Sequence, residues 1–202
     1  MQRRRLLALA VLGAATLAAG GLAVSAGARA HGPSLPGLMT GKAPWPANNG
    51  ALLRARLRAI GLPALGQEGT VLHTHQHLDI VVGRTLLPVP AGIGIDAHGA
   101  FITELHTHDT SGIIHVESPV RRTFTLGQFF DVWGLRFTRT CIGAYCAGRR
   151  KGLWVFVDAK RFRGDPRTIV LRSHEEIVVW YGVLSSIPVN KLPRTYPFPS
   201  GY

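Results

Sequence analysis

Polar and apolar residues alternate along several segments of this chain, and a period of two is the pattern of a half-buried β-strand. The clearest such segment covers residues 71–82, and shorter ones cover residues 101–108 and 113–117. Further strands are predicted at residues 86–89, 153–157, 168–171 and 176–181. Because short turn sequences separate several of these segments, hairpin pairing predicts a mainly antiparallel sheet.

Two other segments follow the period of a helix. From Leu53 to Ile60, apolar residues recur at i, i+4 and i+7, with Asn49 as the predicted N-cap. Three arginines, Arg56 among them, are expected on the solvent side of this helix.

The second helix has a capping box. Thr125 and Gln128 stand three residues apart, in the pattern that satisfies the first free N–H groups of a helix. This helix is predicted to end at Trp133, before Gly134, with its aromatic residues in the core.

The fold class is therefore α+β: a mainly antiparallel β-sheet with β-hairpins and one or two short helices. Four segments follow from the composition. They are a signal segment at 1–30, a Pro- and Gly-rich linker or irregular strap at 31–50, a single α+β domain at 51–187 and an extended Pro-rich tail at 188–202.

Residues 1–30 are predicted to be a signal peptide. Arginines occupy positions 3–5, residues 6–28 carry no charge, and Ala28-Arg29-Ala30 fits a cleavage site before His31. The apolar stretch is also long enough for an uncleaved N-terminal anchor. Both alternatives place the folded part outside the cytoplasm.

The strongest candidate site lies on the hairpin whose loop is residues 109–112. A two- or four-residue loop centred there places His106 opposite His115, and Glu104 opposite Glu117. A three-residue loop would place His115 on the other face, because a slip of one residue turns every side chain of the strand to the opposite face of the sheet.

Side chains two residues apart on a strand share a face, so His108 joins His106. With His115 and Glu117, three imidazoles and one carboxylate are predicted within one patch. Neutral imidazoles at this spacing are typical ligands of zinc, copper, nickel or iron(II).

A second array lies upstream, where His73, His75, His77 and Asp79 share one face of the predicted strand at 71–82. Six of the nine histidines thus stand in two strands with metal-ligand spacing.

Six rings exceed the needs of one tetrahedral site, which indicates two metals, or one site with an orienting shell. Asp79, Glu104 and Glu117 are predicted as ligands or as acceptors that fix the ring tautomers. The expected cofactor is a divalent transition metal, zinc or copper.

The other three histidines are weaker candidates. His31 would chelate copper through its amine and ring if cleavage made it the N-terminus. His98 falls in an exposed turn and is not counted as a ligand. His174 lies between two predicted strands, where it can reach the patch or serve as a solvated turn residue.

Cys141 and Cys146 are the only cysteines. In an exported protein the first interpretation is a disulfide that closes this short loop. The alternative is a reduced pair that would bind copper(I) or zinc.

The formal charge of the whole chain is +12, and removal of the four leader arginines would leave 19 basic and 11 acidic residues, a net charge of +8. Such a protein can contact a membrane surface or anionic cell-envelope polymers. Nucleic acid is not expected as a partner, because the chain has no recognised binding motif.

The chain also resembles a family of exported bacterial proteins that is itself uncharacterised. The motifs are HLDI at 77–80, PAGIGI at 90–95, LHTHD at 105–109, GIIHVESP at 112–119 and FTLGQFF at 124–130. The resemblance runs from about residue 52 to residue 202. It implies export, but no activity, ligand or catalytic residue.

Three functions fit these observations. The leading hypothesis is an exported metal-binding protein that handles copper or zinc. The second is a zinc-dependent hydrolase or lyase with three histidine ligands, an open coordination position and Glu117 as general base. The third is a metal-free secreted interaction module whose histidines are structural or respond to pH.

Overall fold

The computed structural model describes residues 35–202. The predicted signal peptide or anchor and His31 lie outside these described residues. Within them the chain forms a mainly antiparallel β-sheet with two short α-helices, which confirms the predicted fold class. No α-helix of this described part is long and apolar enough to cross a membrane.

The strands are β1 (Leu72–Val82), β2 (Thr85–Leu87), β3 (Leu105–His106), β4 (Ile113–Ser118), β5 (Cys141–Ile142), β6 (Tyr145–Cys146), β7 (Gly152–Val157), β8 (Lys160–Phe162) and β9 (Glu176–Gly182). Seven of them form one sheet in the order β3-β4-β1-β9-β7-β8, with β2 also paired to β1, while β5 and β6 form a separate hairpin. The helices are α1 (Leu53–Ile60) and α2 (Leu126–Trp133).

Strand β1 organises the sheet because both of its edges are paired. Along one edge its first half runs antiparallel to β4 and its last three residues run antiparallel to β2. Along the other edge β9 runs parallel to it, from His77 to Val82. This parallel contact is absent from the hairpin-based prediction, and it places Glu176 beside His77.

The period-two alternation along β1 and β4 separates two faces. Apolar residues from one face join the aromatic residues of α2 in the main core: Leu78, Ile80, Ile114, Val116, Phe129, Phe130 and Trp133. The alternate positions of the same strands carry the histidines. The apolar face therefore fixes which way the imidazoles point.

Helix α2 forms as predicted. The Thr125 side chain accepts from the Gln128 N–H, and the Gln128 side chain accepts from the Thr125 N–H. The helix ends at Trp133, and Gly134 adopts the left-handed conformation that closes it.

Helix α1 begins later than predicted and buries one arginine. Leu52 occupies the N-cap without a side-chain hydrogen bond, so the prediction of Asn49 as N-cap is wrong. Arg56, expected in solvent, is 0% exposed. Its guanidinium donates hydrogen bonds to the main-chain oxygens of Pro36, Asn48 and Val132. Arg56 thereby ties residues 35–50, which contain Pro36 and Asn48, to helices α1 and α2.

Residues 35–50 form the irregular strap, not a free linker. Trp45 is buried and packs edge-on against Trp133 of α2. Met39 makes a β-bridge to Leu135, and its N–H donates to the oxygen of Gly134. The strap therefore belongs to the folded body.

The Pro-rich tail crosses the histidine face of the sheet. After a 3₁₀ turn at Val189–Lys191 it contains no helix or strand. The Tyr196 ring stacks on His77 with centroids 3.8 Å apart, and the Tyr202 ring lies 4.5 Å from that of His75.

The predicted strand at residues 168–171 is wrong. Pro166–Thr168 form a 3₁₀ turn, and the side chain of Asp165 accepts a hydrogen bond from the Arg167 N–H at its start. Proline at the first position and an acidic cap favour this turn over a strand. Only Val170 makes a β-bridge, to Thr125.

The buried guanidinium predicts a large stability effect. In Arg56→Met the apolar stem remains, but three carbonyls lose their donor. Buried unsatisfied groups cost about 1–3 kcal/mol each, so we expect a loss of about 3 kcal/mol in the free energy of unfolding. Urea denaturation measures it.

The matched control is Arg58→Met, on the exposed side of the same helix. It should change the free energy of unfolding by less than about 0.5 kcal/mol. Equal effects of the two substitutions would contradict the role of Arg56.

Candidate metal centre

Two His-X-His segments flank β4. His75 of β1 lies opposite His115, and His106 of β3 lies opposite His115 from the other side. His73 lies opposite Glu117. The pairing of His106 with His115 confirms the predicted hairpin register. The sheet thus brings five of the six predicted ligand histidines to one place around β4.

The ring nitrogens meet in two close pairs. The Nε2 atoms of His73 and His75 are 3.2 Å apart, and those of His106 and His108 are also 3.2 Å apart. We call these the first pair and the second pair. The His115 ring lies between them, with centroid distances of 4.6 Å to His75 and 4.5 Å to His108.

The Glu117 carboxylate lies at the centre of the cluster. Its Oε1 is 3.0 Å from Nδ1 of His115, 3.2 Å from Nε2 of His73 and 3.8 Å from Nε2 of His106. Burial alone would raise its pKa, but the hydrogen bond from His115 and the nearby His106 and His73 rings lower the pKa of Glu117 to about 2. The carboxylate is ionised at neutral pH.

Two rings are held in a ligand-ready tautomer. His106 Nδ1 lies 2.8 Å from the main-chain oxygen of Thr103. Because a carbonyl only accepts, Nδ1 carries the proton and Nε2 keeps a free lone pair. His115 is held in the same tautomer, because its Nδ1 donates to the Glu117 carboxylate and its Nε2 therefore keeps a free lone pair.

Burial also keeps the inner rings neutral. Loss of solvation lowers the pKa of His106 to about 4. It lowers the pKa of His75 to about 4 as well, with repulsion from His115 and His73 adding to the effect. The neutral imidazole is the form that binds a metal.

His77 is separated from the other five histidines by its hydrogen bonds. Its Nδ1 donates to Oε2 of Glu176 at 2.8 Å, and its Nε2 donates to the main-chain oxygen of Ser111 at 2.8 Å. Burial by itself would lower the pKa of His77, but the hydrogen bond to Glu176 and the negative charge of that carboxylate have the larger effect, so the pKa of His77 is raised. With both nitrogens donating, His77 has no lone pair for an ion.

The predicted acidic partners divide among different roles. Asp79 lies close to His77 and Glu176 in a third group of donors, but the hydrogen bonds of His77 leave this group without an imidazole lone pair, and burial raises the pKa of Asp79. Glu104 does not reach the rings: it accepts from Ser118 Oγ at 2.7 Å and pairs with Arg122. Glu117 alone of the three contacts the main cluster.

Sequence reasoning missed three residues at the site. Glu68 Oε1 lies 3.3 Å from Nε2 of His108, Glu176 holds His77, and the Tyr202 ring covers His75 and His115. None of them belongs to a motif. Each is brought to the site by tertiary packing. For Glu176, only a prediction of the parallel β1–β9 pairing would have indicated its place beside His77.

The other described histidines stand outside the two main groups of donors. His98 lies in an exposed turn, as predicted. His174 Nε2 donates to the main-chain oxygen of Tyr202 at 3.0 Å. A cavity of about 260 Å³, lined in part by His73, His75, His174 and Tyr202, opens beside the first pair.

Cys141 and Cys146 form a disulfide across the β5–β6 hairpin, which confirms the first interpretation. The alternative of a reduced dithiol site is therefore wrong for this structure, and the described residues offer no free thiolate to a metal. The donors of the centre are imidazole nitrogens and carboxylate oxygens.

Comparison of the chain with models of known protein families, with curated proteins and with solved structures finds no match. The geometry of the cluster is therefore the basis on which a function is assigned.

The bonding of His77 predicts a structural role for that ring. In His77→Ala, Glu176 is left buried without its partner, which costs about 3–5 kcal/mol in the free energy of unfolding. Metal content per folded chain, measured by elemental analysis, should stay at the wild-type value. Unchanged stability together with loss of metal would instead make His77 a ligand.

Proposed function

We propose that this is an exported metal-binding protein that handles copper or zinc as divalent ions. The observation that supports it is the cluster of five imidazoles around one ionised carboxylate. Ring nitrogens are 3.2 Å apart in each close pair, and Glu117 Oε1 lies 3.0–3.8 Å from three of the rings. Rings hydrogen-bonded for structural reasons alone would have their nitrogens directed to separate partners. Here the nitrogens face one another.

The donor set favours divalent ions. Copper(I) prefers thiolate and thioether ligands, and both cysteines are oxidised. Imidazole and carboxylate suit copper(II) and zinc(II). Burial keeps two of the rings neutral, which supports binding at neutral pH without displacement of protons from those rings.

The exposure of the rings favours a carrier. Each close pair has one buried ring, His75 or His106, and one exposed ring, His73 or His108. An exposed ligand can be replaced by a donor from another molecule, so an ion can be delivered without unfolding. A protein that stores or transfers metal needs this access.

The cavity beside the first pair is the observation that favours the alternative function, a zinc-dependent enzyme. A zinc ion held there would face a space of about 260 Å³, large enough for water and a small substrate. Glu117 is a poor general base, however, because its pKa is about 2 and its Oε1 is surrounded by rings. Ester hydrolysis and CO₂ hydration assays on the zinc form test this alternative.

Export is part of the same proposal. Support comes from the leader-like residues 1–30, from the resemblance to exported bacterial proteins and from the disulfide, which persists in oxidising compartments. The net charge of +8 expected after cleavage would let the protein associate with anionic envelope polymers or a membrane surface.

The experiment is elemental analysis of protein purified without a metal-affinity column. We expect stoichiometric copper or zinc in the wild type. The variant His73→Ala/His108→Ala removes one exposed ring from each pair, so the fold should remain intact. Its affinity should fall more than about 100-fold, since even loss of an orienting partner costs 10- to 100-fold.

The control is His98→Ala, which also removes an exposed histidine but lies in a turn away from both pairs. It should retain wild-type metal content and affinity. A wild type that neither contains nor takes up a divalent metal would reject the proposal and leave a metal-free interaction module.

A further inference from the structure

The cluster contains more donors than one ion uses. A zinc or copper ion of this kind takes about four protein ligands. Five rings and one carboxylate converge here, and they fall into two groups of four. One group is His73, His75, His115 and Glu117; the other is His106, His108, His115 and Glu117. Only His115 and Glu117 belong to both.

We propose that the centre holds two divalent ions joined by the Glu117 carboxylate. The first pair, His73 and His75, binds one ion, and the second pair, His106 and His108, binds the other. This inference rests on the proposed function and specifies its stoichiometry.

The distances within each pair fit one ion. Ligands of a tetrahedral ion with bonds of about 2.0–2.1 Å are separated from each other by about 3.3 Å. The Nε2 atoms are 3.2 Å apart in both pairs. Two neutral rings can share only one proton between facing nitrogens, so an ion bonded to both lone pairs is the better partner.

The position of the carboxylate fits a bridge. Oε1 of Glu117 is 3.2 Å from His73 Nε2 in the first pair and 3.8 Å from His106 Nε2 in the second. It therefore lies within 3.8 Å of a ring nitrogen of each pair. The hydrogen bond from His115 Nδ1 fixes the carboxylate between them.

The charges favour a bridge as well. Two divalent ions a few ångströms apart repel strongly in a partly buried site, and an anion between them offsets this repulsion. Glu117 is buried, and its Oε1 lies within 3.8 Å of ring nitrogens of His73, His106 and His115, so its carboxylate is placed between the two pairs. Glu68, 3.3 Å from His108, supplies a second negative charge at the outer edge of the second pair.

The test is a titration of metal-free protein with copper(II), in which binding is measured by calorimetry and by electron paramagnetic resonance. We expect two ions per chain. In the doubly loaded protein, magnetic coupling through the carboxylate should reduce the resonance intensity well below that of two isolated copper(II) ions.

Two half-site variants then separate the ions. His73→Ala/His75→Ala and His106→Ala/His108→Ala should each bind one copper(II) with a full-intensity signal. If a double variant folds poorly, His73→Ala and His108→Ala replace them, because both rings are exposed; each should weaken one of the two binding steps at least tenfold. Glu117→Gln should abolish the coupling and weaken the second step at least tenfold.

The outcomes distinguish the inference from the proposed function. One ion per wild-type chain, lost in either half-site variant, would overturn the two-ion centre and retain the metal-binding function. Two uncoupled ions that persist in Glu117→Gln would overturn the bridge. No bound ion would overturn the function itself.

Discussion

The pairing of β4 with β1 in a single register is the constraint on which the rest of this structure depends. In that register Ile114 and Val116 enter the core, while His115 and Glu117 turn toward His73 and His75. A slip by one residue would exchange the two faces of β4. Full burial of an Ile or Val side chain contributes about 1.5–3 kcal/mol, so the apolar residues hold the polar ones in place. The candidate metal centre is thus positioned by the core behind it.

The same register places imidazole nitrogens against one another around a single carboxylate. Burial keeps His75 and His106 neutral, and the 3.2 Å contacts bring ring nitrogens face to face. One carboxylate, Glu117, serves three rings through a single oxygen atom. A cation among these donors would receive lone pairs that otherwise face each other. The proposed binding of an ion is therefore supported by the donors' geometry as well as by their chemistry.

Sequence reasoning reached the local parts of the site and missed the parts that come from tertiary structure. The hairpin loop and the alternation of side chains were sufficient to place His106 opposite His115, and the capping box was sufficient to define α2. These features depend on residues close in the chain. The parallel contact between β1 and β9 joins residues about a hundred positions apart, so the bond from His77 to Glu176 had no local signal.

Arg56 shows the same limit for the fold. Its position on α1 predicts solvent exposure, and helical periodicity contains no information about carbonyls that the strap presents at Pro36 and Asn48. Glu104 is the converse case. Its main-chain oxygen accepts from the Glu117 N–H, as the hairpin predicts. Its carboxylate, however, binds Ser118 and Arg122 and does not reach the rings.

In the proposed carrier, the gradient of exposure across the two pairs would connect binding with release. His75 and His106 are buried, so little entropy would be lost when they bind an ion. His73 and His108 are exposed, so they would be able to leave an ion one bond at a time. The Tyr202 ring lies over His75 and His115, so exchange would proceed from the exposed rings inward. A buried inner half that holds the ion and an exposed outer half that releases it are what the proposed carrier requires.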